Sequence, residues 1–160
     1  MASAGFVHLH GHSEYSLLDG GCHIGKMAEK AAELGMPALA LTDHGNLFGA
    51  IEHYKSCKAA GIKPIIGCEV YVAIESRHLR KAVRGLTHGS NHLVLLAKNA
   101  TGYRNLTKLV SKGYLEGYYY NPRVDKELLR EHAEGLVCMS ACIGGEVPHM
   151  IQREGLAEAE

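Results

Sequence analysis

Five strand-length apolar runs lie along this chain, and each carries, at or within three residues of an end or in its middle, a side chain able to hold a metal ion. The runs are 6–10, 38–41, 63–66 continuing as 69–73, 92–97 and 136–140. Helical patterns fall between them, and alternating short β-branched runs and helices predict βα units around a mostly parallel sheet. Ile24, Met27, Ala31 and Leu34 recur at helical spacing and stop at Gly35, a C-terminal cap. Leu47, Ala50, Ile51, Tyr54 and Lys58 repeat the pattern after Asn46, a candidate N-cap, and end at Gly61. A third helix is expected over 103–115 with Leu106, Leu109, Val110 and Tyr114 on its buried side, and a shorter one over 124–132. Units this even can curl into a barrel.

At 160 residues and 46% hydrophobic, the chain suffices for one core. Seventeen basic and seventeen acidic side chains cancel, so bulk charge points to no nucleic-acid or membrane partner. Neither a membrane-length apolar run nor a secretory leader pattern is present, which predicts a soluble, cytoplasmic protein. Five scattered cysteines without a CxxC pair argue against a disulfide framework or a zinc finger. Cys22, Cys57, Cys68 and Cys138 are expected as buried packing. Histidine is the outlier: there are eleven, against no tryptophan and two phenylalanines.

The stretch "HLHGHSEYSLLDG" sets His8, His10 and His12 on alternate positions, hence on one face if the chain is extended there. Neutral imidazoles converging from one rigid element suit a borderline metal ion, and Asp19 adds an oxygen donor beyond a short loop. "ALTDHGN" delivers Asp43 and His44 directly after the next apolar run, where βα loops collect functional residues; for Asp43, helix capping competes with a role at the site. "PIIGCEVYV" holds a carboxylate, Glu69, inside an apolar strand. An ionised group there costs several kcal/mol, about what a lost ion pair costs, unless it is paired or metal-bound. "NHLVLLAKN" opens a strand with His92 and "CMSACIGGE" closes one with Cys142. Imidazole, carboxylate and thiolate together form the donor set of a multinuclear hydrolytic site; sulfur favours zinc, while the oxygens suit manganese, iron or magnesium. A carboxylate such as Glu69 can bridge two cations about 3.5–4 Å apart. The remaining histidines, His23, His53, His78, His88, His132 and His149, fall outside this register and are expected at the surface. Residues 75–91 read as a solvated loop, whose four arginines and lysines could alternatively meet a phosphate backbone.

"FVHLHGHSEYSLLDG", "LALTDHGNLFGAIEHY", "AGIKPIIGCEVYVA", "TGYRNLTKL", "YLEGYY" and "EHAEGLVCMSACIGGEVP" together resemble the polymerase and histidinol phosphatase (PHP) family, in the branch found at the N-terminus of bacterial DNA polymerase III alpha subunits. The resemblance spans nearly all of 1–160. It implies a distorted, TIM-like (β/α)7 barrel of α/β class. By position it implies metal ligands at His10, His12, Asp19, His44, Glu69, His92 and Cys142, catalytic roles for Glu69 and His44, and supporting roles behind the ligands for His8 and Asp43. It also implies a divalent metal cluster, zinc foremost, and phosphoester hydrolysis at a DNA 3′ end. The implied partners are the other domains of the alpha subunit, a proofreading exonuclease subunit and other replisome proteins. Two other readings stand beside it: a structural and docking module whose metal is not catalytic, and a free-standing PHP phosphatase. The family completes its site with an Asp-x-His motif downstream, so the chain, ending in "EVPHMIQREGLAEAE", is expected to be cut before the closing strands. Alone it is expected to be marginally stable and catalytically silent.

Overall fold

The computed structural model describes residues 5–81 and 89–156. Among the described residues are five strands, β1 (Ala38–Leu41), β2 (Lys63–Ala73), β3 (Ser90–Ala97), β4 (Arg123–Val124) and β5 (Leu136–Met139), and five α-helices, α1 (Ile24–Glu33), α2 (Ala50–Ala59), α3 (Ala100–Leu115), α4 (Lys126–Glu131) and α5 (Glu146–Glu154), with β2 and β3 consecutive. The α/β class follows, with boundaries close to those the patterns predict. At Gly35 (φ 72°) the left-handed backbone lets Met36 N–H donate to Ala31 O at 2.9 Å and Gly35 N–H donate to Ala32 O, which closes α1. Asn46, expected to cap α2, instead closes the turn before it: its amide donates to the Tyr15 and His44 carbonyls and its oxygen accepts from Phe48 N–H. Gly49 stands at the cap of α2 without a side-chain bond.

The strands run in the order β1-β2-β3-β5, with β4 beside β2. β1 and β4 pair parallel to β2, but β3 pairs antiparallel to both β2 and β5. A parallel return needs a long crossover, usually a helix. β3 instead comes back reversed against β2. The other four strands share one direction, and the parallel expectation fails only at β3.

The expected strand at 6–10 is extended but does not form a regular ladder. Ala40 N–H donates to His8 O (3.0 Å) and Thr42 N–H to Gly11 O (2.8 Å), so two residues of the β1 side oppose three on the N-terminal side. One residue is left over, as in a bulge, and it breaks the strict alternation of His8, His10 and His12. Buried Thr42 secures the break, its hydroxyl accepting from Gly11 N–H and donating to Gly11 O.

Alternation along β2 divides the interior. Cys68, Val70 and Val72 pack with Leu95, Leu106, Leu109, Val124 and Leu128 under α3 and α4, while Glu69 and Tyr71 face the other way. A second core joins α1 and α2 through Ala28, Ala31, Met36, Leu39, Cys57 and Ile62. His53, expected at the surface, is buried here, its Nε2 3.0 Å from the Leu39 carbonyl; a neutral imidazole can satisfy that single acceptor and still pack. His23 and His78 are exposed, and His132 and His149 are half-buried. Cys57 and Cys68 are buried as expected, but Cys22 and Cys138 are exposed. Cys22 lies in the turn ahead of α1, and Cys138 lies on β5, whose central residues are exposed. Tyr114, expected on the buried side of α3, is 41% exposed, because Leu106, Leu109 and Gly113 form the buried stripe instead.

Residues 74–81 are tied down by charges, contrary to a purely solvated loop. Arg123 is buried, with its guanidinium donating to the carbonyls of Gly117, Arg77 and Leu79. Arg77 in turn pairs with Glu116 (2.7 Å) and buried Asp125 (3.0 Å), and Asp125 accepts from Leu128 N–H as the cap of α4. Arg77 is therefore committed to the fold and is not a phosphate contact. Arg84 and His88 lie outside the described residues, and Ser90 and Asn91, placed in that loop by sequence, are buried in β3.

Burial alone would raise the Asp125 carboxyl; hydrogen bonds from Arg77 N–H and Leu128 N–H and the Arg77 charge overcome this and hold it below its ordinary range. Asp125→Ala is expected to lower the unfolding free energy by about 2–4 kcal/mol at neutral pH, since it removes a helix cap and half of a shielded pair. The Asp125 contribution is complete above the ordinary aspartate pKa of about 3.9 and is lost as pH falls through the lower folded value. Urea unfolding of parent and variant across that range should show their stabilities converging in acid.

Candidate metal centre

Glu69 is 1% exposed, and imidazoles surround its carboxylate. The β1–β2 register carries past the strand end, with Glu69 N–H donating to Asp43 O (3.1 Å) and Gly45 N–H to Glu69 O (2.9 Å), which brings His44 beside Glu69. This turn requires glycine at 45. Its φ is 64°, and a Cβ there would stand 2.8 Å from Pro122 and 3.2 Å from the Tyr71 ring. In the antiparallel β2–β3 ladder Tyr71 opposes His92, so His92 lies diagonal to Glu69 on the same face. Because β3 is reversed, the start of that strand meets the site-bearing stretch of its neighbour.

On one side of the carboxylate, Oε2 accepts from His10 Nε2 and lies 3.2 Å from His12 Nε2 and 4.0 Å from His44 Nδ1. On the other, Oε1 lies 2.6 Å from His92 Nδ1 and 4.0 Å from the Cys142 thiol. Asp19 approaches from its loop, with Oδ2 2.9 Å from His44 Nε2. The backbone before Cys142 takes the uncommon left-handed conformation at Ala141 (φ 62°), and the thiol ends 3.8 Å from His92 Nδ1. Three donor groups result, His10 with His12 and Glu69, His12 with Asp19 and His44, and His44 with Glu69 and His92; within each, the ligand atoms lie within 4.8 Å of one another. Glu69, His12 and His44 each belong to two groups, so the three groups overlap.

Burial opposes the charge of Glu69, but hydrogen bonds from His12, His92 and His10 and the His44 charge outweigh it and hold the carboxyl well below its usual range. His12 is correspondingly raised, chiefly by its bond to Glu69. The buried Nδ1 atoms of His12 and His44 have no hydrogen-bond partner. Orphaned imidazole nitrogens beside carboxylates suit a divalent cation.

Asp43 and His8 divide in their fates. Asp43 is buried and staples the loop that carries Asp19: it accepts from Ser13 N–H (2.7 Å), Ser13 Oγ (2.7 Å) and Ser16 Oγ (2.8 Å), while Ser16 Oγ accepts from His44 N–H. It does not cap α2. His8 is exposed, packs edge-on to Phe6 at 4.8 Å, and stands outside the donor groups. The extra residue against β1 provides the reason, since it takes His8 out of step with His10 and His12. Sequence reasoning passed over Ser13 and Ser16; the signal was a buried strand-end aspartate, which needs short-range donors. It also passed over Tyr71, whose ring stacks near His44 at 5.9 Å and whose phenol is pushed up to about 12 by burial and by the Glu69 and Asp19 charges.

The donors open into a cleft of about 620 Å³, lined also by Leu17, Leu18, Tyr114, Tyr118 and Tyr120. A second cavity of about 570 Å³ lies between the His8–His12 stretch and α1, and it contains fewer of the donors.

The PHP domain family matches residues 8–160. The chain is 55% identical over 160 residues to the DNA polymerase III subunit alpha of Treponema pallidum, covering 100% of this chain and 14% of that protein. It is 54% identical over 157 residues to the same subunit of Thermus aquaticus, covering 97% and 13%. The chain thus spans about one seventh of the curated relatives it matches. Among solved structures, an amidohydrolase from Chromobacterium violaceum with bound sulfate is similar at 26% identity and a TM-score of 0.47, covering 69% of this chain and 34% of that one.

His44→Ala and Glu69→Gln are each expected to weaken Zn²⁺ or Mn²⁺ binding by about tenfold or more, as loss of even an outlying support does at metal sites. His78→Ala, on the exposed excursion, should leave binding unchanged. Elemental analysis after dialysis against limiting metal compares the three, and equal metal content would remove this cluster as the binding site.

Proposed function

The chain belongs to the PHP domain family, and from that membership we propose that it is the PHP domain of a DNA polymerase III alpha subunit, with a divalent metal centre that hydrolyses phosphoesters, specifically the 3′-terminal phosphodiester of DNA. The observation that carries the reading is the doubly used carboxylate of Glu69, with imidazoles on both of its oxygens and an open cleft above it. His10, His12, Asp19, His44, Glu69, His92 and Cys142 would hold the metal, zinc foremost, with manganese, iron or magnesium compatible.

Divalent cations in such a centre neutralise charge on a phosphoryl group and lower the pKa of an attacking water. The chain supplies the rest. Glu69 fixes the separation of the two donor sets. His44, hydrogen-bonded to Asp19, turns that half-exposed carboxylate into the cleft. The Tyr71 phenol, kept protonated, offers a hydrogen-bond donor beside the centre. Among the described cleft residues there is no lysine or arginine, so anion neutralisation falls to the metal, as phosphodiester hydrolysis allows without a protein nucleophile. An open cleft over more than four donors supports a catalytic centre over a structural zinc site, which is a closed four-ligand set. The DNA 3′ end, the other alpha-subunit domains and a proofreading subunit are the proposed partners, and the cytoplasm the proposed location. No helix among the described residues is long and apolar enough to cross a membrane.

In the full-length subunit, His12→Ala combined with His44→Ala should abolish chelator-sensitive 3′-end hydrolysis while sparing nucleotide incorporation, because polymerisation is assigned to other domains. Release of labelled 3′ nucleotide and primer extension read the two activities. Hydrolysis unchanged in a preparation free of other nucleases would leave the structural and docking role in its place.

A further inference from the structure

The mouth of the cleft is built of exposed carbon, and the metal donors do not account for it. Leu17 and Leu18 are 90% and 102% exposed, on a loop that Asp43 pins in place, so their exposure belongs to an ordered segment. Facing the same cleft are Tyr114 and Tyr118, 41% and 50% exposed, with ring centroids 6.2 Å apart and planes tilted by 31°. Tyr114 stands on the last turn of α3, and Gly113 packs against Pro122 behind it, so the ring projects from a rigid element. A cleft of about 620 Å³ suits a small ligand, since such sites typically measure about 300–1,000 Å³.

The ligand that would use all of this has one anionic group for the metal centre and one flat apolar group for the tyrosines. A sugar phosphate would engage the first and leave both rings bare. A polyanion reaching further along the wall would meet no lysine or arginine among the described cleft residues. A nucleobase fits: it presents a π-face to either ring, and stacking on aromatic side chains tolerates any base.

We propose that Tyr114 and Tyr118 form a base-stacking wall that selects a single unstacked terminal nucleotide, with its phosphoryl group at the Glu69 centre and Leu17 and Leu18 covering the sugar side. The proposal rests on the phosphoester reading and adds to it the feature of the substrate that is recognised. Specificity then resides in the base as an aromatic plane, and its identity is left unread. A paired end, whose terminal base is stacked in the duplex, would have to unstack before reaching the wall, so a mispaired end enters more readily.

The chain has no tryptophan, so its eight tyrosines dominate its intrinsic emission, and the leucine substitutions below identify the share of Tyr114 and Tyr118. With the chain in saturating Mn²⁺, the probes are dAMP, 2-deoxyribose 5-phosphate and inorganic phosphate, followed by calorimetry and tyrosine emission. The expected result is dAMP binding about tenfold or more tighter than deoxyribose phosphate, as a stacked base contributes, with emission quenched by dAMP alone. Tyr114→Leu with Tyr118→Leu should erase that advantage and leave inorganic phosphate binding as it was, whereas the two phenylalanine substitutions should keep it. Both rings are at the surface, and circular dichroism checks that each variant folds. Equal binding of dAMP and deoxyribose phosphate by the parent, or leucine substitutions that weaken phosphate as much as dAMP, would overturn the wall while leaving the phosphoester centre standing. Failure of the Mn²⁺-loaded chain to bind phosphate, together with unchanged 3′-end hydrolysis by the His12→Ala, His44→Ala full-length subunit, would overturn both.

Discussion

A buried carboxylate that stays ionised is the constraint on which this structure turns. Glu69 lies in an eleven-residue strand, nearly closed to solvent. A charge in such a place is untenable by several kcal/mol without compensation. Compensation comes from four histidines drawn from three separate parts of the chain, the N-terminal segment, the turn after β1 and the start of β3. Each must reach the same point, so each enclosing segment has its register set by that meeting. The same side chains that compensate the charge form the candidate donor groups for a divalent cation. Folding and metal binding therefore draw on the same side chains.

Around that point, the polar groups work in tiers. Asp43 is too far inside to touch solvent, yet through Ser13 and Ser16 it holds the loop that presents Asp19. Arg123, Arg77 and Asp125 do comparable work on the far flank, holding residues 74–81, Gly117 and the start of α4 to one another. Both clusters contain buried charge, but neither exposes it to the cleft. The cleft itself has imidazoles and carboxylates at its base and aliphatic and aromatic side chains at its rim. Such a division suits a ligand that is anionic at one end and apolar at the other.

Much of this was legible in the residues. Apolar runs and helical periodicities place nearly every element, because local backbone preference and burial periodicity are properties of neighbouring residues. The donor set was legible for a related reason: histidines, carboxylates and a thiol at successive strand ends are costly to explain singly, and Glu69 inside an apolar run demands partners wherever the chain goes. Five cysteines without pairs, and a balance of charge, likewise needed no structure to interpret.

What the sequence by itself determined is thus the α/β class, the elements and the chemistry of the donors. Tertiary structure alone decided how they are joined. β3 is reversed against β2, and this brings His92, near the beginning of its strand, to Glu69 in the middle of its neighbour. The extra residue opposite Ala40 and Thr42 separates His8 from His10 and His12, although all three share one period-two pattern. His53 is buried by the packing of α2 against β1, and Tyr114 is turned outward because Leu106, Leu109 and Gly113 already fill the inner stripe of α3. These outcomes depend on hydrogen bonds and contacts between residues far apart in the chain, which periodicity cannot encode, since it records only what a residue shares with its near neighbours.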